Sequence, residues 1–258
     1  MQYLLLRAFI IVFSLAAAAY SQTQTENERL ASITNNEGVA QFKKGEYQEA
    51  IKSFKRAIEM FPSDPVYHRN LGYVYKEVSD LNQSAESFRQ AIALRPDHAV
   101  THNQLGTVLL EAHRYKEAYD SFRTANSLRP DDPMIIYNLG NSLLHLEQFK
   151  EAGGFLEKAK SMKPDDPNIR VCLGISYAKR KKLDLAIAEV RKATELDPKD
   201  EGVQFYLGAL YVANHDKDAA IAQQRKVYAF NPELGRRLYQ AINSDKVLVV
   251  LPEPVRQR

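Results

Sequence analysis

The sequence predicts an all-α solenoid of antiparallel helix pairs. Three observations predict it: a period of 34 residues from Ala31 to Leu234, one glycine and one proline held at fixed places in that period, and two apolar-periodic segments in every window. The glycines are Gly38, Gly72, Gly106, Gly140, Gly174 and Gly208; the prolines are Pro62, Pro96, Pro130, Pro164, Pro198 and Pro232. Leucine precedes five of the glycines, at Leu71, Leu105, Leu139, Leu173 and Leu207. Small residues recur at Ala50, Ser84, Ala118, Ala152, Ala186 and Ala220, and again at Ala57, Ala91, Ala125, Ala159 and Ala193. Between those two series sit Phe54, Phe88, Phe122, Leu156 and Val190. Several registers kept at one period do not arise by chance.

Composition narrows the class further. The 258 residues are 45% hydrophobic and 26% charged with a formal net charge of +3, which excludes a disordered chain, a collagen-like fibre and a polytopic membrane protein. That charge is too small over this length to indicate nucleic acid or an acidic membrane as a partner. The single cysteine, Cys172, excludes a disulfide framework and a four-thiolate metal site.

Residues 1–21 differ from everything after them. Arg7 precedes an apolar run from Ala8 to Ala19, small residues follow, and the chain then turns polar. This is the layout of a secretory signal peptide with cleavage after Ala19 or Ser21, and it predicts export, periplasmic or secreted. The alternative is an uncleaved anchor, but Arg7 leaves a run of 12 residues, short of the ~20 that a spanning helix needs. Residues 22–30 read as a short polar linker.

Six windows follow, at 31–64, 65–98, 99–132, 133–166, 167–200 and 201–234. Each holds two segments of about 13 residues, too short to be stable alone, so each pair must bury its apolar faces against its neighbours. Glycine and alanine at the crossings let two backbones approach, with the Leu and Phe series filling the remaining space. The recurring proline stops each second helix. Asp64-Pro65, Asp132-Pro133 and Asp166-Pro167 read as an N-cap followed by proline at the first helical position. The end windows decay as a solenoid's ends should: Glu37 stands in place of leucine in the first, and Gln224 and Val227 in place of the aromatic and the alanine in the last. Gly153-Gly154 in the fourth window costs about 1.5–2 kcal/mol of helix propensity and predicts either tolerated drift or a bend. Residues 235–245 read as a capping helix and 246–258 as an extended tail.

These motifs resemble the tetratricopeptide repeat, over about four-fifths of the chain. The second window carries the resemblance best, with Leu71-Gly72, Tyr75, Phe88, Ala91 and Pro96 all in place. The resemblance implies a right-handed superhelix whose first helices line a concave groove that binds peptide or protein segments. It places Asn36, Asn70, Gln104 and Asn138 on that lining, four carboxamides at the repeat spacing, with the series ending at Cys172 and Tyr206. A carboxamide offers a donor and an acceptor and so suits a peptide backbone of any sequence. It also suits simple capping or hydration of the inner face. At about 0.5–1.5 kcal/mol each, four such bonds reach only millimolar affinity, so side chains must add the rest. The same resemblance places Asn35, Arg69, Tyr73, Lys76, Asn103, Thr107, Tyr137, Asn141 and Lys179 on the inner face. Towards the C-terminus it places apolar residues there: Met134, Val171, Ile175, Phe205, Ala209 and Val212. Tyr73 and Met134 stand where chaperone-binding relatives need an asparagine and a lysine, so the grip on a C-terminal carboxylate is not expected. The aliphatic run Val247–Leu251 is a candidate occupant of the apolar half.

Catalytic chemistry is missing from the sequence. His98 and His102 are four apart, the spacing of a two-His metal site, but no third ligand accompanies them and they read as surface residues. Cys172 has no flanking histidine and reads as a packed thiol. No phosphate-binding loop, dinucleotide fingerprint or nucleophile elbow occurs. The reading is therefore a non-catalytic adaptor without cofactor, metal or small-molecule substrate, exported, binding a protein or peptide. The alternative is a membrane-anchored scaffold acting through its convex face or by self-association.

Overall fold

The computed structural model describes residues 2–244, with side chains from residue 22 onward. The described residues are helical throughout apart from short turns, and they form two compact units that divide between Val108 and Leu109.

In the first unit α1 (Gln2–Lys43) packs on α2 (Tyr47–Met60), and α3 (Pro65–Glu77) packs on α4 (Leu81–Leu94). Residues 22–30, expected as a linker, are helical within α1. The signal-or-anchor question at residues 1–21 lies outside the residues with described side chains. A fifth helix, α5 (Ala99–Glu111), contains the boundary between the units. The second unit continues with α6 (Tyr115–Leu128), α7 (Pro133–His145), α8 (Phe149–Met162), α9 (Pro167–Lys179) and α10 (Leu183–Leu196). It ends with α11 (Glu201–Ala213), α12 (Lys217–Phe230) and α13 (Pro232–Asn243). The expected tail, 246–258, lies outside the described residues.

The periodic residues do what their chemistry requires. A Cβ on Gly72 would lie 3.0 Å from the Phe88 ring, one on Gly140 2.8 Å from Leu156 Cγ, and one on Gly174 2.5 Å from Val190 Cγ2. The recurring glycine therefore lets the recurring large residue, 16 positions later, lie directly on a helix backbone. Phe54, Phe88, Leu156 and Val190 are all buried to within 1%. Asp64, Asp132 and Asp166 cap their helices as expected, accepting from the backbone N–H groups of Val66, Met134 and Asn168 at 2.8, 3.0 and 2.9 Å.

Two features were not foreseen. Every turn from a first to a second helix passes through one left-handed residue at the same place in the period. Only Gly45 among these is glycine; Ser79, His113, Glu147, Lys181 and His215 hold φ of 58–61°. Each closes its helix with a bond from the following N–H to a carbonyl five residues back, such as Gln148 N to Leu143 O at 2.9 Å. The recurring proline leaves a carbonyl that a side chain six residues on satisfies: His68 to Pro62 at 3.0 Å, His102 to Pro96 at 2.8 Å, Arg170 to Pro164 at 2.8 Å and Gln204 to Pro198 at 3.1 Å. Ile136 stands at that place in α7, and Lys158 Nζ takes over the Pro130 carbonyl at 3.0 Å.

At the C-terminal end the periodic proline changes its role. Pro232 opens a helix, with Asn231 accepting from Leu234 N at 3.1 Å, so the capping helix begins at Pro232 and not at residue 235. Leu238 on this helix fills the space over Gly208 that the large residue of the period fills elsewhere, where Gln224 now stands. The glycine pair does not break α8. Gly153 is required by close packing, since a Cβ there would fall 2.8 Å from Ser176 Oγ, whereas Gly154 has nothing within 4 Å.

Candidate peptide-binding face

The expected inner-face residues differ in burial within and between the two units, and Asn35 and Thr107 of the first are buried, at 6% and 7%. In the first, Asn36 is exposed and Arg69, Asn70, Tyr73, Asn103 and Gln104 are half-buried. Asn70 Nδ2 donates to Asn35 Oδ1 at 2.8 Å, so the carboxamide beside Asn36, itself only 6% exposed, fixes the Asn70 amide. One Asn70 N–H and its carbonyl oxygen are thereby aimed by a defined bond rather than left to rotate. Tyr73 packs edge-on against Phe88 with ring centroids 5.3 Å apart, which holds its ring in place. Burial raises the Tyr73 phenol above its usual range while Arg69 pulls it down.

In the second unit Tyr137, Asn138, Asn141, Val171 and Phe205 are interior, whereas Lys179 is exposed and Met134 is 40% exposed. Tyr137, Asn138, Asn141, Val171 and Phe205 are between 1% and 6% exposed. Every residue from Ile135 to Leu144 of α7 is buried. The signal for this was in the sequence: MIIYNLGNSLL is apolar on nearly all sides, and a helix apolar all round is a buried helix. Cys172 sits among these residues with Sγ 3.7 Å from Tyr137 Oη and 3.8 Å from Asn141 Oδ1. Burial pushes its thiol up to about 12, so it is a neutral packed group and not a nucleophile at physiological pH. Tyr206, at the last place of the carboxamide series, is 2% exposed and its hydroxyl has no hydrogen-bond partner among the described residues. Phe205 packs with Val227 and Leu238 under the Arg237 guanidinium, 5.2 Å from the ring.

Sequence reasoning missed an ion-pair network in the second unit. Glu189 of α10 takes Arg170 of α9 at 2.7 Å and Lys160 of α8 at 2.9 Å. Lys160 also meets Glu157 at 2.8 Å, and Tyr177 Oη donates to Glu157. Glu189 and its two partners come from three helices, and no spacing in one helix announces such a meeting. The His98–His102 pair is engaged in its turn: His98 Nδ1 lies 2.7 Å from Thr101 Oγ1, and His102 holds the Pro96 carbonyl. Among the described residues no group of three or more His, Cys, Asp or Glu side chains could hold a metal, and no helix is long and apolar enough to cross a membrane.

Models of the tetratricopeptide repeat match residues 38–79, 109–170, and 69–133 together with 173–234. The chain belongs to this family, an all-α interaction fold that is generally non-catalytic and whose members bind protein or peptide partners. Among solved structures it is similar to PilF of Pseudomonas aeruginosa, with TM-score 0.69 and 21% identity over 84% of this chain and 99% of that one. It is similar to PilW, a widely conserved type IV pilus biogenesis factor, with TM-score 0.71 and 20% identity over 81% and 98%. It is also similar to YrrB, a TPR protein with an unusual peptide-binding site, with TM-score 0.61 and 25% identity over 72% and 97%. No curated protein matches the sequence.

Proposed function

We propose that this protein is an exported, non-catalytic adaptor that binds an extended peptide segment on the inner face of its first unit. The observation that carries the reading is the contrast in burial: Asn36, Arg69, Asn70, Tyr73, Asn103 and Gln104 keep accessible surface, while Tyr137, Asn138, Asn141, Val171 and Phe205 are packed away. Asn70, held by Asn35, and Gln104, one repeat on, offer amides to a peptide backbone, and Arg69 and Tyr73 supply the side-chain contacts that these weak amide bonds lack. The peptide-binding site of YrrB supports the class of ligand. The pilus role of PilW, together with the apolar N-terminal run, supports an envelope location.

The test is a peptide-display selection on the purified protein, followed by calorimetry of the selected peptides against Asn70→Ala/Gln104→Ala and Arg69→Ala/Tyr73→Ala. Each pair should weaken binding by about tenfold or more, with circular dichroism showing that both variants stay folded despite a lower melting temperature. Peptides that bind both variants as tightly as the parent would sink the reading.

A further inference from the structure

Two exposed apolar patches, one in each unit, are rimmed by opposite charge. On α1, Leu30 and Ile33 are 44% and 45% exposed and lie three residues apart, side by side on one helix face. Glu26 lies four residues before Leu30 and Glu37 four after Ile33, so a Glu–Leu–Ile–Glu stripe runs along that face. Neither carboxylate has an ion-pair partner among the described residues. Ala31, Asn35 and Gly38, on the other side of the helix, are buried. Glu37 stands where the period elsewhere places leucine, and it is exposed.

On the C-terminal hairpin, Tyr228 of α12 and Tyr239 of α13 are 47% and 60% exposed. Gly235 brings the two helices together so closely that a Cβ there would lie 2.5 Å from Tyr228 Cα. Tyr239 is one turn further along α13 from Gly235, so the two tyrosines share one surface. Arg225 lies three residues before Tyr228 and Arg236 three before Tyr239; Arg236 also meets Glu233 at 2.7 Å. From 217 to 243 the hairpin carries five cations against two carboxylates, a surplus equal to the net charge of the whole chain. Residues 22–43 of α1 carry three carboxylates against two cations, and both cations lie outside the Glu26–Leu30–Ile33–Glu37 series.

We propose that copies of this chain associate head to tail, the Glu26–Leu30–Ile33–Glu37 stripe of one copy seating on the Tyr228–Tyr239 surface of the next. Apolar side chains form the centre, and Glu26 and Glu37 face Arg225 and Arg236 at the rim. The contact joins two different surfaces, so it is heterologous and adds copies without needing a two-fold axis. Exposed rim pairs are individually weak and are screened by salt, so the assembly is concentration-dependent and loosens as ionic strength rises. The inference goes beyond the peptide-binding reading and uses none of its residues.

Sedimentation velocity of the full chain over a range of concentrations tests it, with two charge-reversed variants. In Glu26→Lys/Glu37→Lys both ends are basic; in Arg225→Glu/Arg236→Glu both are acidic. The parent should sediment faster as concentration rises, less so at high salt. Each variant alone should need at least about tenfold more protein to associate, at unchanged melting temperature. An equimolar mixture of the two should associate again, because every end then meets its opposite. A parent that stays monomeric throughout overturns the proposal, as do variants that associate like the parent or a mixture that fails to recover. A monomeric parent that binds a polyglutamate peptide through Tyr228 and Tyr239 would assign that surface to an acidic partner and likewise overturn it.

Discussion

Ser79, His113, Glu147, Lys181 and His215 each hold a left-handed backbone that costs an L-residue roughly 1–2 kcal/mol. The turn demands that conformation because the next residue's N–H must reach the carbonyl five back, and glycine meets the demand without the steric cost. Glu147 is exposed, and no hydrogen bond or ion pair engages its side chain among the described residues. Glu147→Gly is therefore expected to raise stability by about 0.5–1 kcal/mol, after allowing for the larger unfolded-state entropy of glycine, as read by urea unfolding. A loss of stability would mean that the turn is not strained. These positions escaped a reading built on recurring residue types, because what recurs there is a dihedral angle and the residues are unalike. The proline carbonyls escaped it likewise: histidine, arginine and glutamine share a donor and nothing else. At Cys172 the raised thiol has a sign that can be worked out. Its folded value lies above the unfolded value of about 8.5, so its contribution to stability is complete below that pH and is lost as pH rises toward about 12.

Helix by helix, the period predicts which residues meet, and the exceptions are local exchanges of one filler for another. Leu238 replaces the missing large residue over Gly208, and Lys158 replaces the missing donor at Pro130. Within α8 the two glycines look equivalent in sequence and are opposite in structure. Gly154→Ala should stabilise by about 1 kcal/mol, the difference in helix propensity, because its Cβ meets nothing. Gly153→Ala should gain nothing or lose stability, because its Cβ displaces Ser176 Oγ from the 2.8 Å bond that it donates to the Phe149 carbonyl. Chemical denaturation of the two variants side by side decides it, and equal stabilisation by both would contradict the packing at Ser176. Neither glycine breaks the helix, which runs continuously from Phe149 to Met162.

For the molecule as a whole, the proposed export rests on the apolar N-terminal run. Intact mass of the protein purified from its native host should correspond to a chain beginning at Tyr20 or Gln22; a retained Met1–Ala19 segment would instead favour the anchored scaffold. The stripe from Glu26 to Glu37 survives either outcome. The sequence alone determined the repeat and its helices, because a 34-residue period imposes the same local propensities and the same crossing of a glycine by a large residue on successive windows. By resemblance it also proposed an inner face, but not which of those residues are open. Burial depends on what packs over a side chain, and neighbours from other helices supply that cover: Asn70 and Asn138 are one residue type at one place in the period, yet the first is half-buried and the second 2% exposed. The ion pairs around Glu189 have the same origin, since charges on three helices become neighbours only when those helices pack. Tertiary structure decided accessibility, and accessibility is what separates a binding residue from a packing one.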